Sequence, residues 1–255
     1  SRLKVTYDFR EGHNAPFDDT GDAARERWYR FMARHRITPG ILPSPKFALK
    51  DGKITMDTAD FDRAAALCLD ELGMNSFYSP WFFYAFGWAR PPKRVLGAEP
   101  FTKDYTRNYT TCLKMFMDHL RTKGWDSKMT LYISDEPHFR HEHVRKQMIK
   151  LCEMIHAVEP DVPIYSSTWR YCPEWADHIT VWGAGPHGSM PVETFQGRQA
   201  AGDRIWFTTD GHMCTDTPYC AIERVLPWLC WKYGAEAYEF WGLNWYTYDP
   251  WKFGW

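Results

Sequence analysis

Short apolar runs alternate along this chain with amphipathic segments of helical period, and the helical segments are too long for neighbouring runs to pair as hairpins. The runs read as strands at about Leu3–Phe9, Ile37–Leu42, Met74–Tyr78, Met129–Ser134, Pro163–Ser167, Ile179–Gly183, Arg204–Thr209 and Ala237–Trp241. Helices are predicted between most of them, at about Asp22–His35, Asp60–Leu72, Lys103–Lys123, His143–Val158, Val192–Ala201 and Tyr219–Tyr233. Gly73, Gly124 and Gly234 stand where C-terminal stops belong. Strands separated by helices must run parallel through crossovers. Their nearly continuous apolar character fits strands covered on both faces. About eight such units in roughly 250 residues is the size of a (β/α)8 TIM-type barrel. A doubly wound open sheet is the alternative, but it usually carries a Gly-rich turn after its first strand, and none follows Phe9. The sequence begins at Ser1 and ends at Trp255, before any eighth helix. The expectation is one α/β domain over residues 1–255, a barrel incomplete at its C-terminal end.

Composition narrows the function. With 31 basic and 32 acidic residues the formal charge is −1, which argues against a nucleic acid or membrane surface held by charge. No apolar run approaches the ~18 residues of a membrane span, and no signal peptide is recognisable. Seven cysteines, with no CxxC pair, suggest neither a disulfide framework nor a zinc ribbon. Cys68, Cys112 and Cys152 fall within helical patterns as small hydrophobes; Cys214 and Cys220 could bridge one loop. Aromatic residues stand out at 17%, with 14 Trp, 14 Tyr and 16 Phe. They either fill an aromatic core or line a pocket for a ligand with apolar faces and polar edges, such as a sugar or a base. Trp28, Trp228 and Trp231 lie inside helices and read as packing.

In a barrel, chemistry sits at the C-terminal strand ends. Those ends carry Asp8, Tyr78, Ser79, Trp81, Asp135, Glu136, Ser167, Trp169, Trp182, His187, Asp210, His212, Glu239, Trp241, Asn244 and Trp245. The sharpest feature is Asp135-Glu136-Pro137, two adjacent carboxylates closing a buried strand. One reading is a cap on the following helix. The other uses the strand's pleat, which turns neighbouring acids to different sides and so to different tasks.

Tyr132-Ile133-Ser134-Asp135-Glu136-Pro137 resembles the catalytic strand of glycoside hydrolase family 123. The block Arg224-Val225-Leu226-Pro227-Trp228-Leu229-Cys230-Trp231-Lys232-Tyr233-Gly234 resembles the family too, as does Phe240-Trp241-Gly242-Leu243-Asn244-Trp245-Tyr246. The resemblance covers essentially the whole chain as a catalytic domain. Family members usually add an N-terminal β-sandwich and further C-terminal sequence, so these residues read as an excerpt. The resemblance implies a retaining exo-acting β-N-acetylhexosaminidase, with N-acetylgalactosamine as the favoured sugar and no cofactor or metal. It implies substrate-assisted catalysis, an exception to the two-carboxylate displacement scheme. The 2-acetamido oxygen attacks its own anomeric carbon, Glu136 is acid and then base, and Asp135 orients the acetamido group. Tyr165, Trp182, Trp206, Asp210, Trp241, Asn244 and Trp245 are the candidate substrate-binding residues, with Tyr246 a further candidate donor to the acetamido oxygen. Partners would be a small carbohydrate or glycoconjugate, and the family habit of secretion places the protein outside the cytoplasm. Glu239 departs from an expected apolar position, either reaching the pocket or being paired.

Three rivals compete. Asp210 or Glu239 could be the nucleophile of a retaining glycosidase. His138, His141 and His143, or His212 beside Asp210, could hold a metal. An aromatic barrel could also bind carbohydrate without cleaving it.

Overall fold

In the computed structural model, residues 4–7, 22–168, 170–184, 190–209 and 221–240 are described, with backbone alone at 4–7, 209, 221–224 and 240. The strands are β1 (Lys4–Tyr7), β2 (Lys46–Lys50), β3 (Lys53–Asp57), β4 (Phe77–Tyr78), β5 (Phe86–Gly87), β6 (Met129–Asp135), β7 (Ile164–Ser167), β8 (Val181–Ala184), β9 (Arg204–Thr209) and β10 (Ala237–Phe240). The helices are α1 (Asp22–Arg34), α2 (Ala59–Ala65, continued by a π-helical turn at Ala66–Glu71), α3 (Lys103–Lys123), α4 (Glu142–His156), α5 (Val192–Ala200) and α6 (Ala221–Tyr233). None is long and apolar enough to cross a membrane among the described residues.

Local chemistry explains the helix ends. Thr102 caps α3 by accepting from the Tyr105 N–H, and Gly124 closes it at φ 72°. One stripe of α3 is buried, from Tyr105 through Tyr109, Cys112, Phe116 and Leu120, at the spacing of a core-facing helix. Cys68, Cys112, Cys152, Cys172 and Cys230 are buried free thiols. Burial pushes Cys112 and Cys172 up to about 12, which keeps both unreactive.

The main sheet runs in the order β1-β10-β9-β8-β7-β6-β4, with β5 beside β6 and every pair parallel. The predicted run Ile37–Leu42 contributes a single parallel bridge, Ile41 to Tyr78. The hairpin β2–β3 is a feature the alternation did not predict. Its turn is Asp51-Gly52, with φ of 50° and 75°, the backbone that a tight two-residue hairpin requires.

The sheet is strongly curled. In a flat sheet, strands four places apart would be about 19 Å from each other. Yet Tyr78 on β4 and Trp206 on β9 have ring centroids only 5.6 Å apart. The result is a mixed α/β fold whose parallel sheet forms a half-barrel. Two cores follow. A large one lies between the sheet and the helices. A smaller one fills the inside of the curl with Ile41, Tyr78, Tyr132, Tyr165, Val181, Trp206 and Ala237.

Candidate active site

Because the strands are parallel, their C-terminal ends share one rim, and Asp135 closes β6 there. Its side chain faces inward through a backbone irregularity. In β6, Tyr132 pairs with Tyr165 and Asp135 with Ser167, but the register shifts between Tyr132 and Ser134. Residues three apart in a regular strand point to opposite faces. The extra residue, Ile133, cancels that difference and returns Asp135 to the face of Tyr132. Asp135 Oδ1 then accepts two hydroxyl hydrogen bonds, from Tyr132 at 2.7 Å and from Ser167 at 2.9 Å. Both bonds land on one oxygen, and Oδ2 carries none from the described residues.

Burial, and next the charge of Asp135, holds the Tyr132 hydroxyl far above its ordinary range. It therefore stays protonated and remains a donor. Tyr165 behaves alike, through burial and then Glu239, and its hydroxyl donates to Glu239 Oε2 at 3.3 Å. Gly183 makes that reach possible. A Cβ there would stand 2.7 Å from the Tyr165 hydroxyl and 2.9 Å from Thr208 Cγ2. The mutually packed rings of Tyr78, Tyr132, Tyr165 and Trp206 form the floor beneath these carboxylates, with centroid separations of 5.0–5.6 Å.

Glu136 takes a different direction. It lies just past the strand at φ 44°, and Trp88, just past the neighbouring β5, has φ 54°. A left-handed backbone costs a non-glycine residue about 1–2 kcal/mol, so the surroundings must hold both in place. They do so through main-chain bonds. Trp88 N–H donates to the Asp135 carbonyl at 2.9 Å, and His138 N–H donates to the Trp88 carbonyl at 3.1 Å. The Glu136 N–H donates to Ser167 Oγ at 3.2 Å, and Glu136 Oε2 accepts the indole N–H of Trp88 at 2.9 Å. Ser167 thus ties the two acids together while their carboxylates stay separately held.

Residues 46–254 match the family model described as glycoside hydrolase 123, catalytic domain. The chain belongs to glycoside hydrolase family 123. A solved family 123 glycoside hydrolase from Clostridium perfringens superposes with a TM-score of 0.67 at 15% identity, over 98% of this chain and 51% of its own. The present family 123 chain therefore spans about half the length of that relative. An endo-1,4-β-D-mannanase from Thermotoga petrophila RKU-1 follows the fold at TM-score 0.56 and 11% identity, over 96% of this chain and 89% of its own. A family 2 β-galacturonidase from Eisenbergiella tayi does so at 0.51 and 13%, over 94% and 44%. At these identities the likeness is one of fold. No curated relative matches the chain by sequence.

The structure places the expected site residues of this family 123 domain unequally. Asp135 and Glu136 stand at the rim, with Tyr165 and Trp206 below them in the floor. Trp206 is fully buried against Tyr165, at a centroid distance of 5.1 Å. Trp182 does not face the site. It lies on the opposite face of β8, packs at a tilt against Tyr171 and donates its indole N–H to Asp203 at 2.7 Å. The pleat decides this, since Val181 and Gly183 take the inner positions. Glu239 is both inward and paired. Helix capping does not account for the acidic pair, because α4 begins at Glu142 with His141 at its cap. His138, His141 and His143 pack in series at the approach to α4, with centroids 6.1 and 5.5 Å apart. Among the described residues no three His, Cys, Asp or Glu gather to hold a metal. Asp8, Trp169, His187, Asp210, His212, Cys214, Cys220, Trp241, Asn244, Trp245 and Tyr246, and the Arg224 side chain, lie outside the described residues. Sequence reading missed Tyr132 and Trp88, and it did not give Ser167 a role. The one signal for Tyr132 was a tyrosine within the strand that ends in the acids.

Proposed function

We propose that this domain hydrolyses a terminal β-linked N-acetylhexosamine, N-acetylgalactosamine first, by retaining, exo-acting, substrate-assisted catalysis. The observation that carries the reading is the separate mooring of two adjacent acids: Asp135 by Tyr132 and Ser167, Glu136 by Trp88. In this reading the curled sheet is part of a (β/α)8 barrel, and the acids stand at its mouth.

Asp135 Oδ2 accepts the substrate acetamido N–H, which turns the acetamido oxygen toward the anomeric carbon. That oxygen forms a bond to the carbon as the glycosidic C–O bond breaks. The departing oxygen takes the bonding pair and the proton of Glu136. The resulting oxazolinium is stabilised by the Asp135 carboxylate. Glu136, now ionised, removes a proton from water as the water oxygen attacks the same carbon; the bond from that carbon to the acetamido oxygen breaks, its pair returns to the oxygen, and the acetamido group is restored. Holding an internal nucleophile at the reacting carbon removes much of the entropic barrier. The Clostridium relative, a family 123 enzyme, is described by its glycolipid glycan hydrolysis, which supports a glycoconjugate aglycone here.

Glu239 favours one competing reading, because an inward carboxylate held by a tyrosine could itself attack the sugar. A panel of aryl β-glycosides differing at C2 and C4, with and without a thiazoline inhibitor, separates the two. The expected result is turnover of 2-acetamido sugars alone, blocked by the thiazoline. Comparable turnover of sugars with a plain 2-hydroxyl would sink substrate assistance and favour Glu239.

A further inference from the structure

The indole of Trp88 is the polar partner of Glu136 that neither the acidic motif nor the two matching blocks of sequence contains. An indole N–H donates and cannot accept. Of the two oxygens of a protonated carboxyl, the carbonyl oxygen is the better acceptor, so an indole seated on Oε2 leaves the acidic hydrogen to Oε1. We propose that Trp88 is a positioning residue for the acid/base carboxyl: its indole N–H occupies Glu136 Oε2 and confines the transferable proton to Oε1. This inference rests on the assignment of Glu136 as acid and base.

The surroundings of Trp88 suit a fixed donor. Its backbone is bonded at both N–H and carbonyl, to Asp135 and His138, so the ring hangs from a segment stitched to the acidic strand. Gly87 pairs with Asp135 in register, and a Cβ on Gly87 would stand 2.6 Å from the Tyr84 hydroxyl, so the segment packs too closely for a larger residue. The Arg90 guanidinium lies 4.9 Å from the Trp88 ring centroid, and the Arg90 carbonyl accepts from Gln147 of α4 at 3.0 Å. The indole therefore has a backbone anchor, a cation over its face and a helix behind its loop. In the first step Oε1 surrenders its proton to the leaving oxygen. In the second, Oε1 receives the proton of the attacking water. Oε2 keeps the indole throughout, so the carboxyl does not rotate between steps.

The test replaces Trp88 by 3-benzothienylalanine, which puts sulfur where Nε1–H stands and preserves the ring shape; Trp88→Phe is made alongside. Both are measured on N-acetyl-β-galactosaminides with alkyl and with dinitrophenyl leaving groups, because only the alkyl substrate depends on proton donation. The expected result is a kcat/KM about tenfold lower on the alkyl substrate and less than about twofold lower on the dinitrophenyl one, whose first step needs no proton donation. An equal loss on both leaving groups, or no loss in the benzothienyl variant, overturns the inference. Glu136→Gln separates its failure from that of the assignment beneath it. Wild-type turnover of the alkyl substrate by Glu136→Gln overturns the assignment, whereas an inactive Glu136→Gln beside an unimpaired benzothienyl variant overturns the role of Trp88 alone.

Discussion

Ser167 is the residue on which both acids depend, since its Oγ donates to Asp135 and accepts from the Glu136 main chain. Ser167→Ala removes both bonds and no packing volume of consequence. The expected effect is a fall in kcat of about ten- to a hundredfold with little change in thermal midpoint, checked by steady-state kinetics and a melting curve. Loss of folding in place of kcat would show Ser167 to be a structural tie only. Neither this link nor the Tyr132 hydroxyl could be read from the letters. A serine two places beyond a tyrosine in an apolar run has no special signature, and a tyrosine three places before an acid reads as facing away from it. Asp135 and Glu136 themselves were legible, because two carboxylates ending a buried strand demand compensation.

Among the elements, the helices were the most legible. Lys103–Lys123 matches its predicted bounds because Thr102 and Gly124 are strong end signals. Strands gave their positions but not their faces, since a strand covered on both sides has no alternation to read. That is why Trp182 and Trp206 looked equivalent and lie on opposite sides of the sheet. Helix α6 shows a different miss. Trp228 and Trp231 were expected to pack, yet they are 70% and 79% exposed, while Leu226 and Cys230, four apart, are buried. At about 100° per residue the two tryptophans fall on the far side of the helix from that pair. Their replacement by Gln is expected to change stability by no more than about 0.5 kcal/mol each in urea titrations, whereas Phe116→Ala in α3 should cost about 3–5 kcal/mol. Equal losses would mean that the α6 face is covered in solution.

At the scale of the molecule, the parallel alternation fixed the sheet, and the curl follows from the rings it encloses. The curl was expected from the count of alternating units, but the rings that fill it were not, because they depend on which face each aromatic residue takes. The helical layer outside also makes stability depend on pH. His156, in the last turn of α4, is half-buried, and its Nε2 finds no hydrogen-bond partner among the described residues. Burial lowers its proton affinity, opposed by a backbone bond to Val162 and aided by His178. The unfolded chain therefore binds the proton more tightly than the folded one. Stability is full above the unfolded value and declines as pH falls below about 6.5 toward the lower folded value. His156→Gln is expected to flatten the urea midpoint across that window, and an unchanged slope would assign the dependence elsewhere. The extra residue in β6 has a wider consequence. A regular strand with the same letters would have sent Glu136 into the curl and Asp135 toward the helices. A chain that kept every residue but paired without that irregularity would need its two acids in the reverse order to build the same mouth. The motif is thus a message whose meaning depends on the reading frame of the pleat.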